Sequence, residues 1–380
     1  DDAATDAGPT TELTANAATG DPIKIGFITP EGGAVTLPSV REGAEAAVKY
    51  LNDNGGGLNG HKVELVVCKQ HEEPSTATKC ANEMVEKGVS VVTTPLGAQG
   101  AVMLPIVTGA GIPYVAQAPV SQVEMAAPRT YMLSGGIVAV LAAQASHAAK
   151  TGVEKVTVLI GDSGDAAASV TALGEPMFQQ AGVELNVVTI PVSAADPGPQ
   201  IAAALADKPG AVSLLGDSRQ CITALKALET ADPEIPKYLI ASCLDAQVAE
   251  AVGEGAYRNA TAFTTVNLSS DDESVTLYRS IMAAYAPDTA PNGLAYLGYQ
   301  VIMSMAEVGK DLPAGAISAE QFNTALSQAK DLPVPAAPGL TFTCDGTAFP
   351  PLTALCSKAM LVSTVGENQR LEDTEVVNAG

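Results

Sequence analysis

Short apolar runs and amphipathic stretches alternate along the first 120 residues of this 380-residue chain. Residues 23–29, 63–67 and 89–93 are apolar runs of strand length, and apolar residues recur at helical spacing in residues 40–52 and 76–86. Strands that alternate with helices are typical of βαβ units, in which helices cover both faces of a mostly parallel sheet. The pattern therefore predicts an α/β fold.

The alternation begins again in the second part of the chain, with strand-like runs at residues 156–160, 184–190 and 211–215 between helical stretches. Two successive α/β runs indicate two lobes rather than one large sheet. The last third, from about residue 265, is too short for a third domain, so we expect it to complete both lobes. Lobes joined by several crossings form a hinge with a cleft, and open α/β sheets bind ligands at strand carboxyl ends.

The charge balance excludes some classes of partner. Lys and Arg number 20 and Asp and Glu number 42, so the formal net charge is −22. Because phosphate and anionic membranes attract basic surfaces, we expect neither a nucleic-acid partner nor a polybasic membrane contact. The sequence contains no run of about 18 consecutive apolar residues, so no transmembrane helix is predicted. Residues 1–21 lack periodicity and are predicted to be a flexible linker.

Six cysteines are present, and their even number favours disulfides and an oxidising compartment. Six cysteines allow 15 connectivities, of which we favour the local one because each adjacent pair flanks a short strand-to-turn or strand-to-helix segment. Free buried thiols stay open as an alternative, and metal binding is less favoured because no pair has C-x-x-C spacing. The predicted pairs are Cys68–Cys80, Cys221–Cys243 and Cys344–Cys356.

Two motifs suggest chemistry that their context does not support. Residues 161–165 (GDSGD) resemble the surroundings of a serine-protease nucleophile, but they follow a buried strand of an α/β pattern, and His61, His71 and His147 have no triad setting. Residues 55–60 are rich in glycine but follow a helix, so they predict a turn rather than a phosphate-binding loop. Without a nucleophile, base or metal cluster, the sequence favours a binding protein over an enzyme, with no cofactor or metal.

A family resemblance is carried by motifs in a fixed order. They are IKIGFITP at residues 23–30, LNDNGGGLNG at 51–60, GIPYV at 111–115 and FTCDG at 342–346. Together they resemble the type I periplasmic solute-binding proteins of ABC importers, in the leucine/isoleucine/valine-binding branch. The resemblance runs from about residue 22 to the end of the chain.

The resemblance implies two Rossmann-like lobes joined by three crossovers, with a ligand cleft between them. By analogy the crossovers fall near Ser134, Thr265 and Thr341. Lobe 1 would comprise residues 22–134 plus 266–341. Lobe 2 would comprise residues 135–265 plus 342–380.

The family also implies where a solute is held. Its amino-acid binders grip the α-carboxylate with a Ser hydroxyl after one strand of lobe 1, and with an N–H group and a Thr hydroxyl after the next. The Ser position falls on Gly97, the N–H on Ala118, and the Thr position on Val120 or, with a one-residue slip, on Ser121. The candidate ligand-binding residues are Glu31, Gly97, Ala98, Gln99, Gln117, Ala118, Val120, Ser121, Ser163, Asp217, Leu244 and Asp245.

The departures from the family pattern bear on the ligand. Two hydroxyls that would hold a carboxylate are missing, and an unpaired buried carboxylate is costly. An unmodified amino acid is therefore less favoured, although Gln99, Gln117 and Ser121 can still donate hydrogen bonds. In lobe 2, Asp217 and Asp245 are candidates to meet a cation, with a solvated surface position as the alternative for each.

From these observations we expect a monomeric, extracytoplasmic solute-binding protein that delivers a small organic solute to ABC-transporter permease subunits. The solute would be an amino acid, an amino-acid derivative or a small organic or aromatic acid. The protein would lie in the periplasm or at the cell surface, with a lipid anchor upstream of residue 1 left open. The alternative is a ligand-sensing receptor ectodomain of the same fold.

Overall fold

The computed structural model describes residues 8–33, 35–162, 166–191, 194 and 196–378. The strands are β1 (Gly20–Pro30), β2 (His61–Gln70), β3 (Val91–Thr94), β4 (Tyr114–Ala116), β5 (Thr130–Met132), β6 (Lys155–Asp162), β7 (Glu184–Pro191), β8 (Ala211–Leu215), β9 (Lys237–Ile240), β10 (Ala260–Thr264), β11 (Leu332–Pro333), β12 (Thr341–Phe342), β13 (Ala359–Val365) and β14 (Leu371–Asn378). The helices are α1 (Pro38–Asp53), α2 (Pro74–Lys87), α3 (Gly100–Gly109), α4 (Gln122–Ala126), α5 (Gly136–Thr151), α6 (Ala166–Gln180), α7 (Gly198–Ala206), α8 (Ser218–Ala231), α9 (Ala246–Val252), α10 (Glu273–Tyr285), α11 (Ala295–Val308) and α12 (Ala319–Ser327).

The described chain divides into two compact units. The first contains the residues up to Gly136 together with Ser270–Lys358, and the second contains Ile137–Ser269 together with the residues from Ala359 onward. Each unit has its own sheet, so the predicted α/β fold with parallel strands in two lobes is confirmed.

The first unit is built on a five-stranded sheet with the order β2-β1-β3-β4-β5. All four strand pairings are parallel. The long strand β1, second in this order, is buried over its last six residues. A parallel sheet that is covered on both faces has strands that are apolar throughout, which is what the run at residues 23–29 predicts.

Helices α1 and α11 pack against each other in the first unit with their backbones in close approach. A Cβ atom on Gly43 of α1 would lie 2.0 Å from the carbonyl oxygen of Ala295, and one on Gly298 of α11 would lie 1.9 Å from that of Val40. Both distances are far below contact, so only glycine fits at these two positions. The contact therefore packs the segment Ser270–Lys358, which contains α11, against the part of the first unit that precedes Gly136.

The second unit is built on a seven-stranded sheet with the order β14-β13-β10-β9-β8-β6-β7. Strands β7, β6, β8, β9 and β10 are parallel, whereas β13 and β14 are antiparallel additions at one edge. One face packs against a core that includes Ile201, Leu225 and Val248. The other packs against a core that includes Leu141 and Phe178.

Three disulfides join the cysteines in the predicted local pairs. Cys68 on β2 is bonded to Cys80 on α2, Cys221 on α8 to Cys243 after β9, and Cys344 to Cys356. Each bond lies within a single unit. The first two connect a strand, or the turn that follows it, to a packed helix.

Two boundaries differ from the sequence expectation. The prediction of a flexible linker at residues 1–21 is wrong for residues 8–20. Ala18 is buried, and its N–H donates to the carbonyl oxygen of Asn52 at 2.8 Å. The last crossing was expected near Thr341 but follows Lys358, because the chain after β12 stays with the first unit: the Met132 N–H donates to Ala354 and the Cys356 N–H donates to Met132.

A substitution at the α1–α11 contact should destabilise the first unit. We expect Gly298→Ala to cost about 1–3 kcal/mol, because the added methyl group must push the backbone of α1 away. Gly109→Ala is the matched control, since nothing lies within 4 Å of a Cβ atom there. Thermal unfolding of both variants checks this, and equal midpoints would contradict the proposed contact.

Peptide mapping without reduction should recover only the three local disulfide pairs. We expect the Cys68–Cys80 bond, which closes a 12-residue span, to contribute about 3 kcal/mol by restricting the unfolded chain. Free thiols at these positions in protein secreted into an oxidising compartment would contradict the pairing.

Candidate functional site

The candidate residues of the first unit lie in loops at the carboxyl ends of its parallel strands, which meet at one edge of the sheet. β1 lies between β2 and β3, so the connections from β1 and from β2 lead to opposite sides of it. This arrangement is a topological switch point, where open α/β sheets leave room for a ligand. The second unit has the same arrangement, with β6 between β7 and β8.

Glu31, directly after β1, is held in an ion-pair network. Its carboxylate accepts hydrogen bonds from Arg41 Nε on α1 at 2.9 Å and from Lys69 Nζ on β2 at 2.5 Å. Arg41 also donates to Glu45 at 2.8 Å. The Glu31 side chain is 12% exposed. The network therefore ties the loop after β1 to the neighbouring strand and helix.

The charged partners decide the ionisation of Glu31. Burial alone raises the pKa of the Glu31 carboxyl, but the hydrogen bonds and charges of Arg41 and Lys69 outweigh it and hold the pKa below its usual value. The carboxylate of Glu31 in turn raises the pKa of Arg41. The negative charge of Glu31 is thus balanced by two cationic partners.

The loop after β2 places a second carboxylate, that of Glu72, in a defined position. Glu72 has a φ of 60°, a left-handed conformation that is uncommon outside glycine. The Gln70 side chain fixes it from both sides: Gln70 Oε1 accepts from the Glu72 N–H at 2.6 Å, and Gln70 Nε2 donates to Glu72 Oε1 at 2.9 Å.

The loop after β3 is bound to this carboxylate. The Ala98 N–H donates to Glu72 Oε2 at 3.0 Å and to Oε1 at 3.3 Å, and Gln99 Nε2 donates to the Glu72 carbonyl oxygen at 3.2 Å. A Cβ atom on Gly97 would lie 3.2 Å from Glu72 Oε1, so the glycine leaves room for the close approach. Two predicted site residues, Gly97 and Ala98, therefore meet the Glu72 carboxylate, and Gln99 bonds the backbone of the same residue.

The loop after β4 begins with a buried amide. Gln117 is 4% exposed, and its Nε2 donates to Gln300 Oε1 of α11 at 2.9 Å. The carbonyl oxygen of Gln117 accepts from the N–H and the hydroxyl of Ser134. These bonds fix the backbone that leads into the half-buried Ala118.

The rest of that loop is closed by a third carboxylate. Glu124 Oε2 accepts from the Val120 N–H at 3.0 Å, and from the N–H and hydroxyl of Ser121 at 2.8 and 2.9 Å. Glu124 is 1% exposed, whereas the Val120 side chain is 56% exposed. The hydroxyl of Ser121 was predicted from the sequence to bind a solute. In the structure it instead takes part in a capping box at the start of α4.

In the second unit, two predicted acidic residues are helix N-caps. Asp217 Oδ1 accepts from the Gln220 N–H of α8 at 2.9 Å, and Asp245 Oδ1 accepts from the Gln247 N–H of α9 at 3.0 Å. Half-buried Leu244 ends the short turn before Asp245. Both hydrogen bonds lie at exposed positions, and capping explains each residue without a ligand.

The loop after β6 is only partly described, and the predicted site residue Ser163 lies outside the described residues. A small, mostly apolar pocket lies nearby, at the carboxyl ends of β6 and β8. Its lining includes Gly161, Leu215, Gly216, Gln220 and Cys221.

Glu72, Glu124 and the partners of Glu31 were not predicted from the sequence. A signal for Glu72 was available, since Gln70, His71 and Glu72 are polar residues at the end of a strand and directly after it. Glu124 carries the capping-box spacing with Ser121. The ligand-binding roles of the candidate residues stay predictions.

Removing the Glu31 charge should weaken the first unit at neutral pH. We expect Glu31→Gln to cost about 1–3 kcal/mol, because Arg41 and Lys69 lose a charged acceptor. A lowered folded-state pKa gives stability that is present above the unfolded pKa and is lost as the pH falls through the folded value. The variant should therefore show a flatter loss of stability on acidification below about pH 4 than the wild type.

Urea unfolding at several pH values measures this difference. Glu64→Gln is the matched control, because Glu64 is an exposed carboxylate on β2. Parallel pH curves for the wild type and Glu31→Gln would contradict the role assigned to the network.

Neither a metal site nor a membrane span is found in the part of the chain that the structure describes. Within it, no group of three or more His, Cys, Asp or Glu side chains is arranged to hold a metal ion. No helix among the same residues is both long and apolar enough to cross a bilayer.

Comparison with known proteins places the chain in a family. Residues 22–356 match the periplasmic binding protein family. No curated protein matches the chain.

Solved structures share the fold at low sequence identity. An ABC transporter substrate-binding protein from Sphaerobacter thermophilus is 21% identical with a TM-score of 0.77, covering 94% of this chain and 96% of its own. A leucine binding protein from Thermotoga maritima is 18% identical with a TM-score of 0.72, covering 94% and 99%. A fatty acid ABC transporter substrate-binding protein from Thermomonospora curvata is 14% identical with a TM-score of 0.75, covering 98% and 93%.

The family match confirms the resemblance to type I periplasmic binding proteins that the sequence motifs indicate. The strand order of both units is consistent with it. The chain belongs to the periplasmic binding protein family, in its type I fold.

Proposed function

We propose that this protein is the extracytoplasmic solute-binding component of an ABC importer. It captures a small organic solute by closure of its two lobes and delivers it to permease subunits without chemical turnover. The observation that carries the proposal is the family match over residues 22–356, which spans both units. The protein from Sphaerobacter thermophilus, which has a similar fold, is an ABC transporter substrate-binding protein and so supports the same role here.

The class of solute is the finer part of the proposal. The structures of similar fold include a leucine binder and a fatty-acid binder, so the fold accommodates solutes of different chemistry. We propose an amino acid, an amino-acid derivative or a small organic or aromatic acid, held by the loops after β1, β3 and β4 of the first unit and after β6, β8 and β9 of the second.

Three disulfides support the proposed location outside the cytoplasm, because such bonds persist in oxidising compartments. The alternative of a sensor ectodomain shares the solute-binding step and differs in its partner. Reconstitution with ABC-transporter permease and ATPase subunits from the same organism distinguishes the two, since solute-dependent stimulation of ATP hydrolysis is expected of an importer only.

A thermal-shift screen with amino acids, amino-acid amides, amines, organic acids and aromatic acids tests solute capture. A solute that binds only the folded protein stabilises it by about 2.7 kcal/mol at a concentration of 100 times Kd. Small-angle scattering with the best solute should show a smaller radius of gyration. Stabilisation without compaction would contradict capture by closure, and no stabilisation by any solute would count against the whole proposal.

The loop after β3 gives a variant for the same screen. We expect Gln99→Ala to raise the Kd of the best solute about three- to tenfold, the effect of one lost hydrogen bond. Gln180→Ala is the matched control, because Gln180 is exposed at the end of α6. Equal effects of the two substitutions would remove Gln99 from the site.

A further inference from the structure

The two loops of the first unit that the family pattern assigns to a solute carboxylate each hold a carboxylate of this chain. Glu72 occupies the N–H of Ala98 after β3, and Glu124 occupies the N–H groups of Val120 and Ser121 after β4. In each loop, N–H groups at or next to the positions that the family pattern assigns to a carboxylate are therefore already bound to an acidic side chain, and after β3 that group is the Ala98 N–H.

The two acidic side chains differ in exposure. Glu124 is 1% exposed and closes a capping box, so its role is structural. Glu72 is only half-buried, at the carboxyl-end edge of the sheet. Of these two side chains, only Glu72 keeps exposed surface for contact with a solute.

Glu72 is held by neutral donors. Its carboxylate accepts from Gln70 Nε2 and from the Ala98 N–H, and none of the ion pairs among the described residues involves it. Glu31, directly after the neighbouring strand β1, contrasts with it because Arg41 and Lys69 form ion pairs with its carboxylate. Among the described residues, Glu72 therefore has no ion-pair partner, and its Oε2 keeps acceptor capacity.

A free carboxylate at this loop would face a like charge and would find the Ala98 N–H occupied, which disfavours its binding. A group with N–H donors would instead find an acceptor that is already oriented by Gln70 and by the left-handed backbone of Glu72.

We propose that Glu72 is a specificity-determining residue that excludes a free carboxylate from the loop after β3 and selects a solute that presents an N–H donor there, as an ammonium, amidinium or amide group. This inference rests on the proposed solute-binding function and narrows its solute class. Among the proposed solutes, it favours those that contain a nitrogen donor group over organic acids.

The test uses acetate and methylammonium as probes and the backbone amide signals of Gly97, Ala98 and Gln99 as the readout. Wild type, Glu72→Ala and Glu73→Ala are titrated at constant ionic strength. Glu73→Ala is the matched control, because Glu73 is an exposed neighbour whose side chain makes no cap hydrogen bond to α2. It removes the same charge without touching the loop.

We expect methylammonium to shift the Ala98 signal saturably in the wild type and in Glu73→Ala, but not in Glu72→Ala. Acetate should bind Glu72→Ala with an apparent Kd at least about fivefold lower than the wild type and Glu73→Ala, because the like charge is gone and the N–H is free. Glu72→Gln keeps an acceptor for Ala98 and should lose the methylammonium response with the loop signals otherwise unchanged.

Acetate binding of equal strength in the wild type and Glu72→Ala would overturn the inference, and so would a wild type that ignores methylammonium. Either result leaves solute capture standing, because the titrations require no closure and no natural solute. Failure of the solute screen and the scattering experiment bears on the proposed function instead. The two outcomes are therefore distinguishable.

Discussion

The close approach of α1 and α11 is the contact on which the first unit depends. The two helices come from chain segments that are separated by the whole of the second unit's central segment, and their backbones meet at Gly43 and Gly298. Side chains at these positions would hold the helices apart and uncover part of the sheet. The same helix α11 carries Gln300, which accepts from Gln117 at the end of β4. A packing constraint in the core thereby reaches the loop that contains Ala118, Val120 and Ser121.

Local cross-links support this discontinuous arrangement. The disulfides span 12, 22 and 12 residues, and none of them joins one unit to the other. Each unit is therefore stabilised by itself. The proposed function requires rigid lobes, and bonds confined to each unit contribute to that rigidity.

The parts of the fold that could be predicted are those with a local signal. Apolar runs of strand length and helical periodicity gave both α/β runs, and the even number and local spacing of the cysteines gave the three disulfides. Residues 8–20 carry no such signal, because they are held by backbone hydrogen bonds to distant residues such as Asn52. The antiparallel strand β14 was missed for a related reason, since its exposed side chains alternate weakly and only its pairing with β13 defines it.

The site divides in the same way. Parallel strands place their carboxyl ends at one edge, so the loops that contain Gly97 and Gln117 could be chosen from sequence. The state of their donors could not, because Glu72 reaches Ala98 across 26 residues and through a left-handed backbone. N-capping likewise accounts for Asp217 and Asp245, a role that an isolated Asp at a strand end does not reveal.

The net charge of −22 acts together with these local arrangements of carboxylates. An acidic surface disfavours the approach of anions and favours that of cations. Glu31 adds little to this field at the edge of the first sheet, because two cations neutralise it, whereas Glu72 is bound only by neutral groups. The long-range field and the uncompensated carboxylate of Glu72 thus act in the same direction.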